Sequence, residues 1–112
     1  MAYRRRGSPV NITVQAHQVE ISGFLRSRAE RVMRRLASLV HRPVDAVVRF
    51  EQDGNARKVE IVLHAPRRRA LVAAARHRSA GPALGEAARR VEAQILRHKR
   101  PASSRRPRTN GM

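Results

Sequence analysis

Between Ser22 and Val40 the apolar side chains fall at Leu25, Ala29, Val32, Met33, Leu36, Leu39 and Val40, spaced by threes and fours. That spacing is one face of an α-helix, because successive turns bring every third or fourth side chain round to the same side. Ser22 stands just before the run as an N-cap, and Pro43 closes the region behind it. The other face carries Arg26, Arg28, Arg31, Arg34 and Arg35 against one acid, Glu30. Such a segment buries one side on a core and leaves rows of guanidinium groups on the other. A fold and an anionic partner are implied together.

Around this helix the apolar residues alternate, the period of a strand. Val10, Ile12 and Val14 give a first strand, and Val44, Ala46, Val48 and Phe50 a second. Asp53-Gly54-Asn55 tolerates positive φ and marks a tight hairpin. Val59, Ile61, Leu63 and Ala65 form a third strand, with Lys58, Glu60 and His64 on its other side. Pro66 and the arginines 67 to 69 make a basic turn, and Leu71 to Ala75 reads as a short, alanine-rich fourth strand. Ser79-Ala80-Gly81-Pro82 then opens a second helix, proline being tolerated in the first turn. Its buried stripe is Leu84, Ala88, Val91 and Ile95. Arg89, Arg90, Arg97 and Lys99 lie off that stripe, with Glu86 one turn before Arg90.

The predicted class is α+β, in the order β-α-β-β-β-α: a four-stranded mixed sheet with two helices on one face. The strand-helix-strand unit makes a parallel crossover and the hairpins an antiparallel meander. Residues 1–8 read as a disordered basic arm, 9–99 as the folded domain, and 100–112 as a disordered basic tail rich in proline, serine and arginine.

A formal net charge of +17 in 112 residues repels itself, and a polyanion is the partner that offsets it. Only Lys58 and Lys99 are lysines. The arginine fork suits phosphate, although a GC-rich genome gives the same bias. With no cysteine, disulfides and thiolate metal sites are excluded. No apolar run is long enough to span a membrane, and no signal-peptide pattern follows the N-terminal charges, so a cytoplasmic protein is expected.

A charge run is usually a solvated face, but five arginines to one acid on the first helix, with basic ends of the same sign, favour phosphate binding. The nucleic-acid-binding candidates are Arg26, Arg28, Arg31, Arg34, Arg35, Arg89, Arg90, Arg97, Lys99 and Arg100. Aromatic residues are limited to Tyr3, Phe24 and Phe50, and both phenylalanines read as core-facing. Without an exposed aromatic platform for bases, the expectation is recognition of a folded, phosphate-rich surface by shape and charge. His17, His41, His64, His77 and His98 have no metal-ligand spacing, and His98 continues the second helix's apolar stripe. Glu20, Glu51, Asp53 and Glu60 make no carboxylate cluster for magnesium. Neither an enzyme nor a cofactor, metal or small-molecule substrate is expected.

The element order, with Ile12-Thr13-Val14 followed by Ala16-His17-Gln18-Val19-Glu20-Ile21-Ser22-Gly23-Phe24-Leu25-Arg26, resembles the start of the ribosome hibernation-promoting factor family. That family includes ribosome-associated inhibitors and sigma-factor modulation proteins. Val91-Glu92-Ala93-Gln94-Ile95-Leu96-Arg97-His98-Lys99 is similar to its closing helix. The resemblance implies a monomeric, short-form hibernation factor that occupies the messenger and transfer-RNA channel of the small ribosomal subunit, its basic helical surface on ribosomal RNA. It carries the family's basic positions onto Arg26, Arg35, Arg90 and Arg97. Ser79-Ala80-Gly81, Ala93 and the Pro66 turn depart from the family pattern. The rival readings are a general double-stranded RNA or DNA binder, a histidine-dependent RNA-cleaving enzyme and a polybasic membrane-surface protein.

Overall fold

The computed structural model describes residues 10–43, 45–66 and 69–99. Six elements follow in order: β1 Asn11–His17, α1 Gly23–Ser38, β2 Asp45–Asp53, β3 Ala56–His64, β4 Leu71–His77 and α2 Ala80–Lys99. Ser22 caps α1 as its position predicts. Its Oγ accepts a hydrogen bond from the Leu25 backbone N–H at 3.0 Å, satisfying a donor that the first turn leaves without a partner. At the β2–β3 hairpin, Asp53 pairs with Ala56 across a turn in which Gly54 takes φ +63°, a conformation glycine adopts without steric cost.

The strands lie in the order β1-β2-β3-β4. β1 runs parallel to β2, with Ile12 beside Ala46 and Val14 beside Val48, so α1 is the crossover between them. β2, β3 and β4 form the antiparallel meander, and one register line joins Val48, Ile61 and Ala73. Both helices pack on the same face of this sheet. Ala29, Met33, Leu36, Ala37 and Val40 of the α1 region meet Ala46, Val48, Phe50, Val59, Ile61 and Leu63, while Ala83, Leu84, Ala87, Ala88, Val91 and Ile95 of α2 complete the core. Each large side chain here, such as Met33 or Leu36, contributes about 1.5–3 kcal/mol by leaving water. No polar or charged residue is buried among the described residues.

The element order, the mixed sheet and the one-sided helices agree with the sequence reading. β4 extends two residues beyond the predicted Ala75, because Arg76 and His77 still pair with Lys58 and Arg57. Phe24 corrects the reading outright: it is 74% exposed. The buried stripe of α1 steps through 29, 33 and 36, and one turn before 29 stands Leu25, so residue 24 points away from the sheet. Phe50 is buried as expected. The basic arm 1–8, Val44, the arginines 67 and 68, and the tail 100–112 lie outside the described residues.

Candidate nucleic-acid interface

α1 and α2 lie side by side and run in the same direction. Arg28, early in α1, reaches Gly81 and Gly85 early in α2, and Arg35, two turns later, reaches Glu92. The layer opposite the sheet is therefore a two-helix surface with an arginine-lined seam. Charge separates sharply between the layers. The helices carry Arg26, Arg28, Arg31, Arg34, Arg35, Arg89, Arg90, Arg97 and Lys99 against Glu30, Glu86 and Glu92. The strands are balanced, with Arg49, Arg57, Lys58 and Arg76 against Asp45, Glu51, Asp53 and Glu60.

The structure divides the candidate arginines into three kinds. Arg35 and Arg90 are held by acids. Arg35 Nη2 lies 2.5 Å from Glu92 Oε1 across the seam, and Arg90 Nη2 lies 2.6 Å from Glu86 Oε2 one turn away. The hydrogen bond from Arg35, with its charge, holds the Glu92 carboxyl below the usual carboxylate range. The same contact raises the Arg35 guanidinium. Arg35 is exposed and Glu92 partly exposed, so the pair contributes little to stability beyond fixing its own geometry.

A second kind caps the sheet's edges. Arg26 Nη1 donates to the Val14 carbonyl of β1 at 3.3 Å. At the far edge Arg90 Nη1 donates to the Ala74 carbonyl of β4 at 2.6 Å, and Gln94 Nε2 to the Val72 carbonyl at 2.8 Å. Edge strands otherwise present unpaired backbone groups to any other strand.

The third kind has no carboxylate partner among the described residues, which hold all eight acidic side chains: Arg28, Arg31, Arg34, Arg89 and Arg97, together with Arg26. Arg31, Arg34, Arg89 and Arg97 are exposed, whereas Arg28 is half-buried in a cleft with His77, Gly81, Pro82, Gly85, Glu86 and Arg89. Lys99 ends α2, and Arg100 lies outside the described residues. The sequence reading missed this cleft, whose members come from three elements. Chemically the helix face is a field of free guanidinium donors on a rigid support, suited to phosphate oxygens.

A sequence profile of the family described as sigma 54 modulation protein / S30EA ribosomal protein matches residues 12–102. The chain belongs to this family. Among curated proteins none matches it. Two solved structures share the fold of this sigma 54 modulation / S30EA member. A ribosomal subunit interface protein from Coxiella burnetii superposes with a TM-score of 0.71 at 18% identity, covering 80% of this chain and 98% of that one. The N-terminal domain of Thermus thermophilus Protein Y gives 0.68 at 22% identity, with coverage of 80% and 99%. At such identities the likeness is one of fold alone.

Proposed function

We propose that this protein is a ribosome hibernation factor. It binds ribosomal RNA of the small subunit as a monomer in the cytoplasm, and by filling the channel for messenger and transfer RNA it inhibits translation without chemical catalysis. Family membership supports a ribosomal partner, as does the likeness to a protein described as a ribosomal subunit interface protein. The observation that carries the reading is the division of charge. Nine basic residues against three acids stand on the helix layer, while the strands are balanced. Phosphates engaged by that layer release their counterions, which makes attachment strong at low salt and fixes which side faces the RNA.

The test is co-sedimentation of the purified protein with small subunits, large subunits and whole ribosomes at two salt concentrations, with excess duplex RNA as competitor. The proposal expects near one copy on small subunits and whole ribosomes, resistant to the duplex. Binding spread over all particles and lost to the competitor would indicate a general duplex-RNA or DNA binder instead. The double reversal Arg31→Glu, Arg34→Glu alters exposed side chains without acid partners. It is expected to cut retention by about tenfold or more at low salt and to leave the melting temperature nearly unchanged. Unchanged retention would count against the helix surface.

A further inference from the structure

Three features in the first halves of the two helices are not explained by a uniformly basic surface. Phe24 is 74% exposed on the outward side of α1. Arg28 stands one turn beyond it, and i, i+4 side chains on a helix are neighbours. Arg28 does not extend into solvent. It lies along the seam, with Nη1 3.4 Å from the point where a side chain at Gly81 would begin and Nη2 3.7 Å from the same point at Gly85. Arg89 Nη1 comes to 3.6 Å from that point at Gly85, so two guanidinium groups lean over one glycine.

Neither arginine has a carboxylate partner among the described residues. Glu86 lines the same cleft, but its carboxylate is engaged by Arg90 at 2.6 Å. Two like charges that converge with no acid between them repel each other, and an anion seated against both removes that repulsion. Gly81 and Gly85 leave the floor of the cleft open. Gly85 in a helix interior costs about 1 kcal/mol relative to alanine, so the notch is maintained against the propensity of α2.

We infer that Phe24, Arg28 and Arg89 hold one unpaired RNA nucleotide, its base stacked on the Phe24 ring and its phosphate between the two guanidinium groups. A phosphate and its own base are separated by a ribose, a span comparable with one helical turn. The cleft, about 380 Å³ and open to solvent, has room for a sugar-phosphate unit. A regular duplex has its bases stacked internally and offers none to Phe24, so the site selects single-stranded RNA. This inference rests on the RNA-binding reading of the helix face and adds to it a position where a flipped or looped base is gripped.

The chain has no tryptophan, so Phe24→Trp places a sole indole at the site, which is excited at wavelengths where Tyr3 does not absorb. The full-length variant is titrated with a single-stranded oligoadenylate and with a blunt RNA duplex of equal length. Binding is followed in parallel by anisotropy of a labelled strand. Stacking quenches the indole, so single strand is expected to quench at saturation and duplex to bind without quenching. In the otherwise native chain, Phe24→Ala and Phe24→Leu should both weaken single-strand binding by about 5- to 100-fold, leucine failing because it lacks an aromatic face. Arg28→Ala with Arg89→Ala should weaken single-strand binding by about tenfold or more. Saturation without quenching, or Phe24→Leu binding as wild type, overturns the inference. Co-sedimentation of wild type with small subunits separates the two readings. Retention alongside a silent reporter removes only the nucleotide site, whereas quenching without retention keeps the site and removes the ribosomal assignment.

Discussion

Glu92 keeps its charge further into acid than a free carboxylate because Arg35 donates to it across the seam. A carboxylate depressed on folding contributes stability above its unfolded pKa, and that contribution is lost as the pH falls through the folded value. Glu92→Gln is therefore expected to lower stability by about 0.5 kcal/mol at pH 7, with the difference from wild type vanishing in acid. Thermal melts of both proteins across that range check it. This pair was not legible in the sequence, because its partners are 57 residues apart and meet only once the helices lie parallel. The Glu86–Arg90 pair was legible, being a one-turn spacing on a single helix. Apolar character alone assigns Phe24 to the core, although the step from Leu25 to Ala29 sets it out of phase with the buried stripe.

Among the elements, each strand announced itself by alternation, and even alanine-rich β4 was recoverable because Leu71, Ala73 and Ala75 keep period two. What alternation does not reveal is how an edge is finished. Val14, Val72 and Ala74 give no sign in sequence that Arg26, Gln94 and Arg90 close over their carbonyls, since those contacts depend on where the helices lie on the sheet. Charge puts Arg90 among the nucleic-acid-binding candidates, and the fold adds to its Glu86 partner a second internal one, the β4 backbone. The double substitution Arg90→Ala, Gln94→Ala uncovers β4 and is expected to promote edge-to-edge association. Light scattering against concentration reads this. Scattering equal to wild type at all concentrations would mean that the two side chains do not guard the edge.

For the whole molecule, the division of charge between layers follows from the crossover topology, which sends both helices to one side of the sheet. The sequence showed basic helices. It did not show that four of the eight acids would be gathered on the strands, two of them paired there as Arg49–Glu51 and Arg76–Asp53. The parallel run of α1 and α2 has a further result. Both helix N-termini lie at the same end of the molecule, and neither first turn contains an acid. Their aligned peptide dipoles add partial positive charge to the end where Arg28 reaches over Gly81, so formal charges understate the field there. Gly23→Glu, at an exposed first position of α1 with no neighbour in its way, is expected to raise stability by about 0.5–1.5 kcal/mol. The same carboxylate should weaken attachment to RNA, and melting and co-sedimentation of one variant read both effects. If the variant behaves so, that end of the molecule is less stable than its sequence allows, and the uncompensated dipoles act on RNA together with the arginines of the proposed surface.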